Sequence, residues 1–357
     1  MKKEISPRQS DNSPETAEVR PGENLDTTAL ASFLSVDKVV IEQFPAGSSN
    51  LTYLIKTASN EMVLRRPPFG NTVKTAHDMR REFDVLSKLA AVYSPAPKPV
   101  LFCDDDSVIG SEFYLMERRS GLVIRGRAPD VLERSPELRK AVSTSFIQNL
   151  AHLHSLDYDA AGLGGLGRPE GYCRRQVEGW TKRYVAAKTD DWPELERAMV
   201  WLGQNIPKES GASIVHNDYK FDNLMLDPDD LTNITAVLDW EMVTIGDPLM
   251  DLGTTLGYWM SNDGGEQMLR MPFNPRVLME NISRQDLVEI YAKASGRDTS
   301  NILFYYIFGT FKIAVIAQQI YARYVKGFTK DERFEHFDRF VSALGVIASR
   351  AIERGSM

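Results

Sequence analysis

The chain has 357 residues, a length that suggests two domains or one large two-lobed unit. Its composition, 43% hydrophobic and 25% charged, is ordinary for a globular protein. Its formal net charge of −7 argues against a general nucleic-acid-binding protein, because binding to a phosphate backbone needs basic surface. The two cysteines, Cys103 and Cys173, are too few for a disulfide framework and lack CxxC or Cys/His metal spacing.

The sequence also lacks the features of a secreted or membrane-spanning chain. It has no signal-peptide segment and no apolar stretch of about 18 residues. We therefore predict a cytoplasmic protein with neither a membrane nor a nucleic-acid partner, and no obligate protein partner is evident.

The first third of the chain is β-rich in pattern and contains one prominent helix. Residues 1–24 are polar, with three prolines, and predict a mostly disordered tail. The next segments predict, in order, a short helix, a strand, a β-hairpin and two further strands: LDTTALASFLS, KVVIEQFPAG, SSNLTYLIKTASNEMVLRRPP and APKPVLFCDDDSVIGSEFYLMERRSG. Between the hairpin and the last two strands, apolar residues three and four apart predict a helix within 75–91.

After Gly121 the pattern becomes helical. Helices are predicted over 136–157, 172–189 and 193–205, and helical periodicity continues from Pro248 to Arg354 with breaks near 262–275. Short strands interrupt it around the segment NITAVLDWEMVTIGDP. The predicted fold class is α+β, with a small β-rich N-lobe over 25–117 and a larger, mainly helical C-lobe over 118–357.

One glycine motif does not indicate a nucleotide-binding fold. GLGGLG, Gly162 to Gly167, matches G-x-G-x-x-G, but it follows a predicted helix, whereas the dinucleotide-binding motif follows a strand and opens a helix. We interpret it as an inter-helix loop. No G-x-x-x-x-G-K-[ST] sequence is present, so a Walker P-loop is excluded.

The stretch IVHNDYKFDNLML, residues 214–226, places polar groups between apolar flanks. Burying such groups costs several kcal/mol unless each finds a partner. Asp218 and Asn223 occur in the order H-x-D-x-x-x-x-N, and Asp239 follows Asn223 by sixteen residues. The pattern predicts a loop, a short strand, a turn and a second strand, with Asp239 at the exit of that strand.

These residues suit phosphoryl transfer from ATP. Asp218 can orient an acceptor hydroxyl and take its proton, and Lys220 can lie near the transferring phosphoryl group. Asn223 and Asp239 supply the hard oxygen ligands that Mg²⁺ prefers. His216 completes the predicted catalytic set, where we expect it to support the loop by hydrogen bonds. The alternative is that Asp218 and Asn223 merely cap turns, as Asp and Asn often do.

HNDYKFDN, VLDWE and GDPLMDL together resemble the aminoglycoside phosphotransferase and choline kinase-like family, which shares the protein-kinase fold. The resemblance covers roughly residues 30–350 and is most specific in the C-lobe. It maps the protein-kinase catalytic loop onto His216, Asp218 and Asn223. The metal-binding D-F-G maps onto Asp239-Trp240-Glu241, with Trp for Phe and Glu for Gly. The resemblance implies a kinase-like two-lobed fold and the cofactors Mg²⁺ and ATP or GTP.

The resemblance also implies a phosphate-covering loop in the N-lobe. FPAGSSNLTYLIKT resembles that loop, although it has a single glycine, Gly47, followed by Ser48, Ser49 and Asn50. Small residues let backbone N–H groups approach phosphate. A plain hairpin turn explains the segment equally well.

MVLRR occupies the position of the kinase V-A-I-K strand, where arginine replaces the usual lysine. We choose Arg65 over Arg66 for the phosphate-binding role, because arginine can bind phosphate bidentately. Its expected helix partner is Glu82, and the alternative is a solvated surface pair. YLMER, which contains Glu117, resembles the inter-lobe hinge whose backbone would bind the nucleobase.

Two further matches are structural expectations. Asp251 resembles the family's helix Asp that braces the catalytic-loop backbone, and Asp247 is expected to cap that helix with Pro248 in its first turn. His152 and His154 lie two residues apart and therefore point to different helix faces, so we interpret them as structural.

The phosphate acceptor is inferred from the resemblance to one subgroup of the family. RRQVEGW and VLDWEMVTIGDPLMDLGTTLGYW resemble the subgroup with domains fused to acyl-CoA dehydrogenases, which implies a hydroxyacyl thioester or another small hydroxylated metabolite. Four basic residues would suit an anionic acceptor, although Lys182 and Arg183 are equally compatible with solvated helix charges: Arg174, Arg175, Lys182 and Arg183.

The leading hypothesis is therefore a small-molecule O-phosphotransferase. A nucleotide-binding pseudoenzyme or sensor domain is the alternative, favoured by the arginine at 65 and the thin glycine loop. A metallohydrolase that uses His216, Asp218 and Asp239 is a third hypothesis, weakened because no other histidines stand at ligand spacing.

Overall fold

The computed structural model describes residues 15–45, 50–69, 78–126, 128–260, 275–329 and 331–357. The chain divides into two compact units, the first comprising 1–87 with 97–118 and the second 88–96 with 119–357.

The first unit contains an antiparallel sheet with strand order β1-β2-β3-β5-β4. The strands are β1 (Val40–Gln43), β2 (Leu51–Lys56), β3 (Glu61–Arg66), β4 (Pro99–Cys103) and β5 (Phe113–Glu117). The helices are α1 (Thr27–Phe33), α2 (Met79–Leu89), which ends in the second unit, and α3 (Asp106–Ile109). Alternate apolar residues of the strands, including Tyr53, Ile55 and Leu64, pack against Leu30 of α1 and Ile109 of α3 in one core. The predicted hairpin is thus present as β2 and β3, and α3 forms at the acidic run where the sequence predicts only a turn.

The predicted tail is too long at its C-terminal end. Residues 15–24, which the polar composition assigns to disorder, lie against the sheet. Ala17 forms an isolated antiparallel bridge with Gln43, the amide of Arg20 donates to Gln43 Oε1 at 2.9 Å, and the Tyr53 hydroxyl donates to the carbonyl oxygen of Glu23 at 2.8 Å. Backbone pairing therefore orders a segment that has few apolar side chains. Residues 1–14 lie outside the described residues.

Residues 88–96 also depart from the predicted division, which assigns them to the N-lobe. They belong to the second unit because the chain after α2 folds onto that unit's strands. Val237 donates its amide to the carbonyl oxygen of Pro95 at 2.8 Å, and the buried Tyr93 ring lies edge-on to Trp240 with centroids 6.0 Å apart.

The second unit is mainly helical and carries two short antiparallel hairpins. Its helices are α4 (Asp130–Arg134), α5 (Pro136–Ser155), α6 (Tyr172–Ala187), α7 (Pro193–Gln204), α8 (Pro248–Tyr258), α9 (Arg276–Met279), α10 (Arg284–Ser295), α11 (Ile302–Val325) and α12 (Phe337–Arg354). Its strands are β6 (Ser213–Val215), β7 (Leu224–Leu226), β8 (Ile234–Val237) and β9 (Thr244–Gly246), with β6 paired to β9 and β7 to β8. The GLGGLG segment lies between α5 and α6 and contains a single 3₁₀ turn, Gly164–Leu166.

Helices α8 and α11 cross at backbone contact. A Cβ atom at Gly253 of α8 would overlap the backbone of Tyr305, and one at Gly309 of α11 would overlap the backbone of Gly253. Every residue of α8 is buried. The two glycines thus let these helices approach closely enough for side chains of both to reach the loop between β6 and β7.

We expect Gly309→Ala to lower the free energy of unfolding by about 3 kcal/mol, because overpacking at a backbone contact forces the helices apart. Urea unfolding measures this. Gly203→Ala on α7 is the matched control, since no heavy atom lies within 4 Å of a Cβ there and alanine favours helix. Equal stability of the two variants would contradict the close crossing.

Helix α11 contains a long apolar stretch that the sequence pattern did not lead us to expect. By length and composition its 24 residues could cross a membrane, contrary to the expectation that no such stretch exists. However, 78% of its most apolar 18-residue stretch is buried inside the protein. Packing against α8 and α12 explains its apolar character, as in the core helix of a globular domain.

Candidate active site

The loop 216–223, here called the catalytic loop, runs from β6 to β7 and ends in a 3₁₀ turn, Phe221–Asn223. Pairing of β7 with β8 brings the loop end beside the exit of β8, since Leu238 donates its amide to the Asn223 carbonyl oxygen at 2.8 Å. Asp239 follows directly. The predicted order of loop, strand, turn and strand is confirmed, and it brings Asn223 and Asp239 to neighbouring backbone positions.

Three side chains hold the Asp218 carboxylate. Asn223 Nδ2 donates to Asp218 Oδ2 at 2.9 Å and also to its backbone oxygen at 2.8 Å. Lys220 Nζ lies 3.2 Å from Oδ2. The Tyr258 hydroxyl, at the end of α8, donates to Oδ1 at 2.9 Å. The structure thus brings together Asp218, Lys220 and Asn223 as predicted and adds Tyr258, which sequence reasoning missed.

Asp251 of α8 stabilises the backbone of the catalytic loop. Its carboxylate accepts the backbone amides of His216 at 2.6 Å and Asn217 at 2.8 Å, and it is fully buried. His154 Nε2 lies 3.2 Å from the same carboxylate, while His154 Nδ1 contacts the Tyr291 hydroxyl at 2.7 Å. Burial alone would raise the pKa of Asp251, but these hydrogen bonds and nearby positive charge hold it below its usual range. The predicted bracing role is present in the geometry, and His154 is structural as expected.

His216 supports the loop and does not face the Asp218 carboxylate. Its Nε2 contacts the Leu238 carbonyl oxygen at 2.9 Å, and its Nδ1 accepts the Asp218 amide at 3.3 Å. Its ring lies against Trp240, with centroids 4.8 Å apart. Both ring nitrogens are thus engaged with backbone groups. The metallohydrolase hypothesis loses its histidine ligand as a result.

Two residues of the site adopt left-handed backbone conformations. Asn217 has φ 68° and Asp239 has φ 64°, a region that costs energy for residues other than glycine. Asn217 is held by its Nδ2, which donates to the Met242 carbonyl oxygen at 3.0 Å, and by the Tyr172 hydroxyl, which donates to its Oδ1 at 3.3 Å. These contacts fix the backbone immediately before Asp218.

A buried lysine of α11 also donates a hydrogen bond to the catalytic loop. Lys312 Nζ donates to the Asn217 carbonyl oxygen at 2.5 Å and lies 5.6 Å from the centre of the Trp180 ring. Burial lowers the pKa of Lys312 to about 8, although the carboxylates of Asp218 and Asp251 act in the opposite direction. Sequence reasoning missed this residue. Its signal was a lone charge in the apolar run FGTFKIAVIA.

We expect Lys312 to make stability depend on pH. Its native pKa of about 8 lies below the ordinary 10.5, so between these values the unfolded chain binds the proton and the native protein does not. The free energy of unfolding should therefore rise with pH across that window, by roughly 2 kcal/mol between pH 7.5 and 10. Urea unfolding of wild type and Lys312→Met measures the difference, because other titrating groups cancel. Parallel pH profiles would contradict the assignment.

Lys220 joins two carboxylates of the loop. Besides Asp218 it lies 3.7 Å from Asp222. Burial lowers the pKa of Lys220, but the oxygens of Tyr258, Asp218 and Asp222 outweigh this and raise it, so the lysine stays charged. Burial raises the pKa of Asp222 to about 6, against the lowering effect of Lys220 and Arg125. Lys220 is therefore a fixed positive charge next to Asp218.

The metal-ligand candidates fit a hard cation by their chemistry. Because Asn223 Nδ2 is committed to Asp218, its amide oxygen is the atom left for a ligand, and Asp239 adds a carboxylate at a neighbouring position. Oxygen donors of this kind suit Mg²⁺, which takes its remaining ligands from phosphates and water. Within the described residues, no group of three or more His, Cys, Asp or Glu forms a self-sufficient metal cage.

In the first unit, Arg65 and not Arg66 meets Glu82. Arg65 NH1 lies 3.5 Å from Glu82 Oε1, with the two side chains 9% and 2% exposed. Burial contradicts the alternative of a solvated surface pair. Since side chains alternate along a strand, Arg66 points away, and its guanidinium donates to the Ile109 carbonyl oxygen at 2.9 Å.

The other predicted nucleotide-site residues are only partly described. Asn50 is buried immediately before β2, while Gly47, Ser48 and Ser49 lie outside the described residues. Glu117, at the end of β5, donates its amide to the Lys98 carbonyl oxygen at 2.9 Å and accepts the Lys98 amide through Oε1 at 2.8 Å. The Glu117 amide is thus engaged within the sheet and is not available to a nucleobase in this arrangement.

Comparisons with known proteins agree with this geometry. The model of the phosphotransferase enzyme family matches residues 40–272. Acyl-CoA dehydrogenase family member 11 of Pongo abelii is 35% identical over 351 residues, which cover 92% of this chain and 43% of that protein. The chain therefore spans less than half the length of this relative.

Solved structures share the fold. One from Ralstonia eutropha, provisionally named an aminoglycoside phosphotransferase, has a TM-score of 0.78 at 31% identity and covers 93% of this chain and 99% of that one. A thermostable mutant of the aminoglycoside phosphotransferase APH(4)-Ia, in ternary complex with ADP and hygromycin B, has a TM-score of 0.59 at 14% identity and covers 90% of this chain and 98% of that one. At that identity the likeness shows the fold alone. The predicted kinase-like α+β fold and the family resemblance are both confirmed.

Proposed function

Because the chain belongs to the phosphotransferase enzyme family, we propose that it is a small-molecule kinase that moves the γ-phosphoryl group of ATP or GTP to a hydroxyl, with Mg²⁺ as cofactor. The observation that carries the proposal is the Asp218 carboxylate, held by Asn223, Lys220 and Tyr258. Asp239 follows Leu238, whose amide donates to the Asn223 carbonyl oxygen. Phosphoryl transfer depends on positioning and charge more than on covalent chemistry by the protein, and this loop provides both.

Asp218 is the proposed base. The acceptor hydroxyl would give its proton to the Asp218 carboxylate while its oxygen forms a bond to the γ-phosphorus. The bond from that phosphorus to the β–γ bridging oxygen breaks, and ADP leaves with the electron pair. Lys220, whose charge is fixed by its carboxylate neighbours, would stabilise the negative charge on the transferring group.

We assign phosphate binding to Arg65, in the first unit. Its guanidinium forms a buried ion pair with Glu82, and arginine can bind phosphate bidentately. Gly47, Ser48, Ser49 and Asn50 would add backbone N–H groups. The ADP bound to the related fold of APH(4)-Ia supports the use of a nucleotide here.

Asn223 and Asp239 would hold the metal ion through the Asn223 amide oxygen and the Asp239 carboxylate. When bound, Mg²⁺ would neutralise charge on the nucleotide phosphates. Asp239 has a left-handed backbone conformation and directly follows Leu238, whose amide donates to the Asn223 carbonyl oxygen.

We propose that the acceptor carries negative charge, as a hydroxyacyl thioester of coenzyme A would. Among the described residues, the cations near Trp180 and the catalytic loop include Lys312 and Arg183, 5.6 and 4.7 Å from the Trp180 ring centre, and Lys220, which binds Asp218. The charges of Lys220 and Arg183 both lower the pKa of Lys312, so they act on one small region. A polycationic aminoglycoside would meet repulsion there. The name of the acyl-CoA dehydrogenase relative supports the same choice.

A panel of hydroxylated acceptors tests the proposal. ADP release would be followed with ATP and Mg²⁺ in the presence of hydroxyacyl-CoA thioesters, free hydroxy acids, sugars, choline and aminoglycosides. We expect turnover with an anionic acceptor and none with aminoglycosides. Turnover confined to cationic acceptors would reject the acceptor class, while nucleotide binding without any turnover would favour the pseudoenzyme.

A further inference from the structure

Tyr258 makes a contact with Asp218 that the phosphotransferase chemistry does not by itself require. It is the last residue of α8, its side chain is buried, and its hydroxyl donates to Asp218 Oδ1 at 2.9 Å. Its ring packs against Lys220, whose Nζ lies 5.1 Å from the ring centre. Tyr258 therefore touches the proposed base and the fixed charge beside it.

The hydrogen bonds leave one direction of the carboxylate open. An ionised carboxylate has about four lone-pair sites. Oδ2 is occupied by Asn223 Nδ2 at 2.9 Å and Lys220 Nζ at 3.2 Å. On Oδ1 the Tyr258 hydroxyl takes one site. Among the residues that the structure describes, no further donor contacts Oδ1, so its second lone pair is the site left for an acceptor hydroxyl.

We propose that Tyr258 is a positioning residue, whose hydroxyl fixes the Asp218 carboxylate so that one lone pair on Oδ1 receives the acceptor hydroxyl. The inference rests on the proposed role of Asp218. Without the tyrosine hydroxyl, both lone pairs of Oδ1 would be open, and an acceptor or a water molecule could bind in more than one orientation. Tyr258 would thus raise the share of phosphoryl groups that reach the acceptor and not water.

The test is the coupling ratio, the amount of phosphorylated acceptor formed per ADP, in Tyr258→Phe. We expect transfer to fall about tenfold, as for the loss of a hydrogen bond to a charged group. The KM for ATP should stay unchanged and the coupling ratio should fall. A purely structural role would lower transfer and hydrolysis in parallel. An unchanged coupling ratio in a folded variant would overturn the proposal.

The matched control is Tyr305→Phe. Tyr305 also donates its hydroxyl to a buried carboxylate, Asp247 Oδ2 at 3.0 Å, in the same unit but away from the catalytic loop. It should lose stability without a change in coupling ratio. A fall in coupling for Tyr305→Phe as large as that for Tyr258→Phe would also overturn the proposal.

A double variant separates this inference from the proposed function. In an Asp218→Asn background, Tyr258→Phe should cause no further loss of transfer, because both residues act through one carboxylate. Additive losses would overturn the positioning role and leave the function standing. Full transfer by Asp218→Asn alone would reject Asp218 as the base, and no transfer by the wild type to any acceptor would reject the proposed function.

Discussion

Asp218→Asn is expected to lower kcat for phosphoryl transfer by about 10³-fold, in the range that general-base catalysis contributes. The amide cannot accept the proton of the acceptor hydroxyl, and its lack of charge weakens the contact to Lys220, now 3.2 Å from Oδ2. Nucleotide affinity should stay near that of wild type, because Arg65 and Glu82 are unaffected. Steady-state kinetics and nucleotide titration calorimetry measure the two effects separately.

The matched control is Asp229→Asn, in the turn between β7 and β8. Asp229 is exposed and has no contact with the catalytic loop among the described interactions. The Asp229→Asn variant has the same change of charge as Asp218→Asn and should keep full transfer activity. If transfer by Asp218→Asn fell by less than tenfold while Asp229→Asn kept full activity, another group would have to take the proton.

Asp251→Ala is expected to lower the free energy of unfolding by about 3–5 kcal/mol, as when one partner of a buried charged network is removed. The change leaves the amides of His216 and Asn217, and the imidazole of His154, without their shared acceptor. It also removes a carboxylate whose negative charge raises the pKa of the buried Lys312. Transfer should be lost together with stability, since the backbone before Asp218 depends on these bonds. Urea unfolding and transfer assays measure the two losses.

Asp251→Asn provides the comparison. It keeps the shape and one acceptor oxygen, so we expect a smaller loss than for alanine. The carboxylate has a lowered pKa, which means that its contribution is present above its ordinary value of 3.8 and is lost as the pH falls. If both variants remained as stable as wild type at neutral pH, the bracing role of Asp251 would be wrong.

Features encoded by local pattern were predictable from sequence. The hairpin of β2 and β3, the order of loop and strands around Asp218 and Asp239, and the cap of α8 by Asp247 all follow from alternation, turn residues and short-range spacing. Asp251 was predicted because it lies in the segment GDPLMDL, which resembles the family's motif. In each case the determining residues lie within one or two elements.

Features that depend on contacts between distant elements were not predictable. Tyr258 lies 40 residues from Asp218, and Lys312 lies 95 residues from Asn217, so no spacing rule links either pair. Tyr258 reaches the loop from the end of α8, and Lys312 reaches it from α11, which crosses α8 at two glycines. The ordered segment 15–24 was missed for a related reason, since its backbone pairs with β1 while its composition is polar.

In the proposed mechanism, Asp218 directs a phosphoryl group from ATP to a small-molecule hydroxyl. The most direct measurement is ³¹P NMR of the protein with ATP, Mg²⁺ and the best acceptor of the panel, beside the same mixture with Asp218→Asn. We predict a new phosphoester signal that grows in step with ADP and is absent from the variant. A signal from inorganic phosphate alone, or a phosphoester that forms equally fast with Asp218→Asn, would contradict this role of Asp218.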